Sequence, residues 1–419
     1  MNQPVSKTVF DNGIKVLTRK NPNIRSVSVG IWVNVGARDE KFSENGLSHF
    51  IEHMLFKGTR NRSAFKIAKD FDSLGSQVNA FTTMENTCLH GKVIDSGLEK
   101  LVTMMCDIFL DSMFPEPEIE NEKPVVLQEI GMVDENPEDL IHLINEEKLW
   151  GEHPLGRSIL GTKESVQSFT AKDIVNFYNE RYRPEDIIIS AAGNVSHDKF
   201  VSLVKPFFEK LKKVPAVCER KAPVNKSGIH IVNKDVEQVH ICINGHGLKT
   251  SDENRFALSL MNIILGGNMS SRLFQEIREK NGLAYSVYSF TSSNTDSGML
   301  GTYLAVNPKK VEKAFELTLK ELRSVRDKKV SEIELRNAKE YLKGNIYLSS
   351  ESSENTMFRL VQNELYFNRF VPINEIIENI ENVTEDHIIN LSEKLLAEEN
   401  LSTTILGPFD DLKAIESKF

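Results

Sequence analysis

The chain repeats one stretch of its own sequence, and this repetition constrains the fold more than any other feature. Residues 169–176, FTAKDIVN, resemble residues 383–390, VTEDHIIN, at an offset of 383 − 169 = 214 positions. The same offset, continued without a gap, pairs IIISAAG at 187–193 with LSTTILG at 401–407. Both of these apolar runs end in glycine and have the composition of buried strands. The sequence therefore predicts two structural repeats in tandem.

Each repeat combines strand signals with helix signals. Thr170 and Thr384 stand where helix N-caps are expected. The tripeptide DNG at 11–13 separates two β-prone runs and predicts a hairpin. Residues 77–93 predict two further strands, and helical patterns follow them. These elements indicate an α+β fold with two homologous halves, each an antiparallel-rich sheet with helices packed on it.

The length of the chain predicts more than one domain, because 419 residues exceed what a single hydrophobic core usually holds. The join between the repeats contains lysine, proline and serine and has no apolar period. We expect a first domain over residues 1–209, a linker over 210–228 and a second domain over 229–419.

The first half contains a short motif with metal-binding spacing, His49-Phe50-Ile51-Glu52-His53, or H-x-x-E-H. On a helix, residues four apart lie one above the other, so His49 and His53 share a face. Glu52 lies beside that face. Two neutral imidazoles suit Zn²⁺, and a carboxylate that is not a ligand can accept a proton from a bound water. The neighbouring residues are largely apolar, which favours a buried helix over two histidines on a solvated surface.

A catalytic zinc site needs a third protein ligand. The acidic segment 116–138 contains Glu122 and Glu129, which are seven residues apart and so share a helix face. Most acidic helices are simply solvated, and spacing alone leaves both interpretations open.

Composition excludes several classes of partner. The net charge is −9 and the pI is near 5.7, which argues against nucleic acid or an anionic membrane as a partner. No apolar run reaches the roughly 18 residues of a membrane span, and the first ten residues lack the apolar core of a secretory signal. The four cysteines form no CxxC pair. We therefore expect a cytoplasmic protein with reduced thiols.

Taken together, the motif and the acidic segment resemble the M16 peptidases, the pitrilysin, insulin-degrading and mitochondrial-processing group, and most closely the short bacterial type. In that family a glutamate ligand follows the motif by some 76 residues, and here 129 − 53 = 76. The resemblance implies that His49, His53 and Glu129 bind one zinc per chain, and that Glu52 is the general base. It also implies that Glu122 orients a ligating imidazole.

The second half lacks the motif, since its corresponding helix, residues 254–265, contains no histidine. It does contain Arg278 and Tyr285, which match a family pattern of arginine and tyrosine seven residues apart. The resemblance implies that both act in catalysis by stabilising the oxyanion. From the residues alone, the favoured interpretation is structural: a helix that ends at 281–282 and is followed by a strand.

The resemblance also assigns a substrate-binding role to one strand. Asn79, Ala80, Phe81 and Thr82 would form an edge strand to which the backbone of a peptide substrate adds. An ordinary sheet strand is the alternative.

The resemblance implies a zinc-dependent endopeptidase whose two halves enclose a cavity. Glu52 would activate a zinc-bound water, and the substrates would be peptides or short unfolded polypeptides. A homodimer is the expected state, with no nucleic acid or membrane partner. The alternative is a non-catalytic scaffold or peptide-binding subunit with the same fold. The intact motif at 49–53, together with Glu129, favours the enzyme.

Overall fold

The structure is a computed structural model that describes residues 4–213 and 219–409. Groups of strands alternate with groups of helices along the described chain. The strands, in chain order, are β1 Val5–Val9, β2 Lys15–Lys20, β3 Ser26–Val33, β4 Gln77–Thr82, β5 Thr87–Ile94, β6 Ile187–Gly193, β7 Gly228–Asn233, β8 Val239–His246, β9 Ala284–Ser293, β10 Gly298–Val306 and β11 Ser402–Gly407.

The helices range from single turns to about twenty residues. The α-helices are α1 Leu47–Met54, α2 Ala64–Leu74, α3 Leu98–Leu110, α4 Glu116–Glu135, α5 Pro137–Trp150, α6 Lys163–Ser168, α7 Ala171–Arg181, α8 His197–Phe208, α9 Arg255–Leu265, α10 Val311–Asp327, α11 Glu332–Ser350, α12 Ser353–Phe367, α13 Ile373–Glu381 and α14 Glu385–Leu395. A π-helical segment spans Phe274–Lys280. Within the described ranges, no helix combines the length and the apolarity that crossing a bilayer requires.

The chain forms two compact units, and neither is continuous in sequence. The first unit consists of Met1–Gly131, Arg157–Arg220 and Tyr347–Phe370, and the second of Met132–Gly156, Lys221–Ile346 and Val371–Phe419. The domain bounds expected from the sequence follow the repeat along the chain and stay a prediction. Residues 214–218 of the expected linker lie outside the described residues.

The first unit is built on a six-stranded sheet with the order β1-β2-β6-β3-β5-β4. Strands β3 and β6 lie in its centre and are buried along almost their whole length, as their apolar sequences require. The DNG turn connects β1 and β2, which pair antiparallel, and Gly13 has the positive φ of 97° that such a turn needs. The predicted hairpin is confirmed.

Helices cover both faces of this sheet. One face packs against α1, α3, α7 and α8 and forms the larger core. The other face packs against α12, where Trp32 of β3 lies among Met357, Leu360 and Val361. A Cβ atom at Gly30 would lie 2.6 Å from Met357 Sδ and 2.8 Å from Trp32 Nε1, so a larger residue here would require these side chains to shift.

The second unit repeats this plan. Its five-stranded sheet has the order β7-β11-β8-β10-β9, which matches the first sheet without β1. The parallel pair β7–β11 corresponds to the parallel pair β2–β6, and the other pairs in both sheets are antiparallel. Helix α5 packs on one face, and α9, α10 and α14 form the core on the other face. The side chains of Thr170 and Thr384 cap α7 and α14 as predicted. The α+β class and the tandem repeat are confirmed.

Candidate metal centre and active site

Helix α1 carries the H-x-x-E-H motif, and a buried carboxylate fixes its first turn. The helix starts after Gly46, whose φ of 96° belongs to the left-handed region that favours glycine. Glu40 is 3% exposed and accepts hydrogen bonds from the backbone amides of Gly46 (2.8 Å) and Ser48 (2.7 Å). A carboxylate at this position satisfies amides that a helix start leaves unpaired. No spacing rule connects Glu40 with α1, so the sequence alone does not reveal this contact.

Three ligand atoms converge between α1 and α4, on residues of the first unit. Glu129 Oε2 lies 3.6 Å from His49 Nε2 and 3.7 Å from His53 Nε2. One ligand atom from each of the three residues lies within 4.8 Å of the other two. Two ligands bound at about 2.0–2.1 Å to a tetrahedral zinc are roughly 3.4 Å apart. The distances from the two imidazole nitrogens to Glu129 Oε2 are close to this value, and the three residues together could hold a metal ion.

A hydrogen bond on its second nitrogen orients His53. Its Nδ1 lies 2.8 Å from Glu122 Oε1, and the other oxygen of Glu122 contacts the ammonium of Lys57. Burial acts to raise the pKa of Glu122, but the hydrogen bonds from Lys57 and His53 outweigh it and the pKa is lowered. An ionised carboxylate only accepts hydrogen bonds, so Nδ1 carries a proton, and Nε2, which lies near Glu129, is the nitrogen left to bind a metal.

The second imidazole, that of His49, is neutral at neutral pH. Burial, and then the charge of nearby His53, lowers the pKa of His49 to about 4. Its Nδ1 atom is buried and has no hydrogen-bond partner among the described residues. Its Nε2 contact with Glu129, at 3.6 Å, is too long for a hydrogen bond. A cation between His49 Nε2 and Glu129 Oε2 would give each of these two atoms a partner, so this donor set fits a bound metal.

Glu52 is not one of the three residues whose ligand atoms converge, and its carboxylate makes a hydrogen bond elsewhere. Its Oε2 accepts a hydrogen bond of 2.6 Å from the hydroxyl of Thr82. Burial raises the pKa of Glu52, against opposing contributions from Thr82 and His53. The family resemblance implied only a substrate-binding role for Thr82, and the contact with Glu52 was not predicted. No local signal reveals it, since the two residues are 30 positions apart.

The predicted substrate strand, β4, does form an edge of its sheet. It pairs with β5 on one side, and on its other side no strand pairs with it among the described residues. The Asn79 side chain accepts a hydrogen bond from the amide of Ala80, and the ring of Phe81 packs against Trp32. Ala80 is 7% exposed. The side chains of Ala80 and Phe81 are thus committed to packing, and β4 offers a ligand mainly its backbone.

Arg278 and Tyr285 come together within the second unit. The guanidinium of Arg278 lies 4.4 Å from the ring centroid of Tyr285 and 4.8 Å from that of Phe274. Its Nη1 also donates a hydrogen bond of 2.9 Å to the backbone carbonyl of Tyr285. The side chain of Tyr285 is 79% exposed. Arg278 therefore supports the backbone and ring of Tyr285.

Comparison with known proteins identifies the family. The family model described as insulinase (peptidase family M16) matches residues 15–163, and the peptidase M16 inactive domain model matches residues 168–342. A Streptomyces coelicolor protein named as an uncharacterized zinc protease is 36% identical over 98% of this chain and 91% of its own length. The chain belongs to peptidase family M16. A Bacillus subtilis relative with the same description is 37% identical over 94% of this chain and 96% of its own.

Solved structures share the M16 fold of this chain. A peptidase M16 inactive domain from Pseudomonas fluorescens superposes with a TM-score of 0.91 at 21% identity, covering 97% of this chain and 98% of its own. A protease from Helicobacter pylori gives a TM-score of 0.90 at 21% identity, covering 96% and 99%. Within the described residues, the group at His49, His53 and Glu129 is the sole cluster that could hold a metal. It belongs to the segment matched by the first M16 model, whereas the described part of the segment matched by the inactive-domain model contains no such cluster.

Proposed function

We propose that this protein is a zinc-dependent endopeptidase. One observation carries the proposal: the Nε2 atoms of His49 and His53 lie 3.6 and 3.7 Å from the same oxygen of Glu129. The relatives named as zinc proteases support the choice of metal. His49, His53 and Glu129 would hold one zinc per chain. When bound, zinc acts as a Lewis acid that polarises a carbonyl and makes a nearby water more acidic.

Glu52 is the residue we assign to proton transfer. It lies one position before His53 and is outside the ligand set, so its carboxylate is available as a base. It would accept the proton of the attacking water and pass it to the amine of the leaving peptide. Burial raises the pKa of Glu52, which brings a carboxylate closer to the range in which it both accepts and returns a proton.

Strand β4 is the element we assign to substrate binding. Because its outer edge has no strand partner among the described residues, a peptide can add there through backbone hydrogen bonds along Asn79, Ala80, Phe81 and Thr82. Recognition by backbone tolerates many side chains and requires an extended segment. The substrates we propose are therefore peptides and short unfolded polypeptides.

In the second unit, we assign the exposed hydroxyl of Tyr285 to stabilising the developing oxyanion. Arg278 would position Tyr285, since its guanidinium both stacks on the ring and binds the backbone carbonyl. The homodimer and the cytoplasmic location remain sequence-based proposals. Light scattering on the purified chain tests the dimer, and a monomer mass would contradict it.

The alternative function, a non-catalytic scaffold or peptide-binding subunit, has less support. A scaffold does not need the buried carboxylate of Glu122 beside His53. It also does not need the carboxylate of Glu52, held by Thr82 next to the proposed metal ligands. Such groups cost stability when buried, and a binding role alone gives no reason to keep them.

Cleavage of a quenched fluorescent peptide library tests the proposal, together with metal analysis. We expect one zinc per chain and activity that a chelator removes and zinc restores. Glu52→Gln should keep zinc and abolish turnover, whereas Glu129→Gln should lose zinc. Glu116→Gln, an exposed change on the same helix as Glu129, serves as the matched control. Cleavage by Glu52→Gln at the normal rate, or an active protein without metal, would overturn the assignment.

A further inference from the structure

The hydroxyl of Thr82 makes a short contact with the proposed base. It lies 2.6 Å from Glu52 Oε2 and 3.5 Å from the backbone carbonyl of Ser48. A hydroxyl has one proton to donate, and a charged acceptor at the shorter distance is preferred. The hydroxyl proton of Thr82 therefore points to the carboxylate of Glu52.

Thr82 is well suited to hold another side chain still. It is the last residue of β4, and the strand pairing places it opposite Thr87 of β5. Its β-branched side chain has few accessible rotamers, so the position of its hydroxyl follows from the position of the strand. The glutamate side chain, by contrast, has several rotatable bonds and loses considerable entropy when it is fixed.

The contact leaves one carboxylate oxygen of Glu52 for chemistry. Oε2 accepts the hydrogen bond from Thr82, while Oε1 has no hydrogen-bond partner among the described residues. A base that must accept a proton and then deliver it to a different atom depends on a stable position relative to both. The hydrogen bond from Thr82 to Oε2 therefore also fixes the position of Oε1, the oxygen available for proton transfer.

We propose that Thr82 is a positioning residue that fixes the carboxylate of Glu52 for proton transfer. This inference rests on the proposed peptidase function and adds a residue to it. Thr82 belongs to the strand that we assign to the substrate backbone, so a single element would position both the substrate and the base. The side chain of Thr82 acts on Glu52, and the backbone of β4 acts on the peptide.

Steady-state kinetics on one defined peptide tests the proposal. Thr82→Val keeps the shape and removes the hydroxyl, and it should lower kcat roughly 10-fold to 100-fold, the range expected for a misplaced catalytic group. KM and zinc content should stay within about twofold, because neither the ligands nor the strand backbone changes. Thr82→Ser, which restores a hydroxyl, should recover most of kcat.

Thr87→Val is the matched control. Thr87 lies directly across from Thr82, is 3% exposed, and donates its hydroxyl to the backbone carbonyl of Val35 at 2.9 Å. Its loss should lower stability with little effect on kcat, which separates weakening of the sheet from misplacement of the base. A Thr82→Val enzyme with unchanged kcat overturns the proposal, as does a higher KM at unchanged kcat, which would assign the side chain to substrate binding.

A crystal structure of Thr82→Val provides a second measurement that does not depend on turnover. We expect the carboxylate of Glu52 to adopt a different rotamer or more than one. A carboxylate that stays in place overturns the positioning role even if kcat falls. If the wild-type chain cleaves no peptide, or if Glu52→Gln retains activity, the proposed function itself fails. That outcome is separate from a failure of Thr82→Val alone.

Discussion

The Nδ1 atom of His53 lies 2.8 Å from Oε1 of Glu122, a carboxylate whose side chain is only 6% exposed. This contact determines which nitrogen of His53 is free to bind a metal, because Nδ1 carries a proton and donates it in a hydrogen bond to the ionised carboxylate. Metal affinity should therefore depend on a residue that is not itself a ligand.

Glu122→Gln should weaken zinc binding by about 10-fold to 100-fold, the usual effect of removing such a partner. The amide has no charge to hold the proton on Nδ1, and it also loses the ion pair with Lys57. Competition with a chromophoric chelator measures the dissociation constant, with Glu116→Gln as the control. Unchanged zinc affinity in Glu122→Gln would show that the ligands alone fix the site.

Lys57→Met should weaken zinc binding less than Glu122→Gln, and Lys57→Arg should preserve it. Lys57 is 30% exposed and contacts the oxygen of Glu122 that His53 does not use. Its charge helps to keep Glu122 ionised, and methionine retains much of the apolar stem. In the double variant Lys57→Met/Glu122→Gln the losses should not add, because both changes act through the same carboxylate. If chelator competition shows that the two losses of zinc affinity add, Lys57 does not act through Glu122.

The local parts of the site could be predicted from the sequence. His49 and His53 are four residues apart on one helix, so helical geometry alone places them on one face. Glu129 lies on a different helix, α4, and its approach to the two imidazoles depends on the tertiary fold, which residue spacing left open. The match to the M16 spacing, and not a physical rule, singled out Glu129.

The contacts that support the site could not be predicted. Thr82, Lys57 and Glu40 act through hydrogen bonds to residues on other elements or beyond a turn, and none has a spacing signature. The sheets against which α5 and α12 pack could not be predicted for a similar reason. An apolar helix face predicts that the helix will be buried, but not which sheet will bury it. The structure packs α12 on the first sheet and α5 on the second, although each lies in the other half of the sequence.

Glu40 should make the stability of the protein fall as pH rises through the weakly acidic range. Burial raises the pKa of Glu40 to about 7, despite hydrogen bonds from Ser48 and Gly46. In the unfolded chain the pKa returns to the ordinary glutamate value, so between about pH 4.5 and 7 the folded state binds more protons than the unfolded state. The free energy of unfolding therefore falls as pH rises through this range. The decrease is on the order of 3 kcal/mol.

Urea unfolding of the chelator-treated protein at pH 5 and pH 8 measures this contribution. Glu40→Gln cannot ionise, and it should be destabilised less than wild type on going from pH 5 to pH 8. The comparison between wild type and variant removes the contributions of other titrating groups. An equal change in both proteins would mean that Glu40 has the same pKa in the folded and unfolded states.

Tyr285→Phe should lower kcat more than it raises KM. The tyrosine side chain is 79% exposed and its ring stacks on Arg278, a contact that phenylalanine retains, so the fold should change little. If the hydroxyl binds charge that develops on the carbonyl oxygen, its loss affects the transition state more than the bound substrate. One lost oxyanion donor usually lowers kcat by about 10²-fold to 10³-fold, and we expect the lower end because zinc would share that charge.

Kinetics on one defined peptide decides this last prediction, with zinc content and melting temperature measured alongside. Tyr341→Phe removes the hydroxyl of another partly exposed tyrosine in the second unit, to which we assign no role, and should leave kcat unchanged. Arg278→Ala should raise KM as well as lower kcat, because it removes both the stacking on Tyr285 and the hydrogen bond to its carbonyl. An unchanged kcat in Tyr285→Phe would confine the chemistry to residues of the first unit and leave the second unit without a catalytic residue.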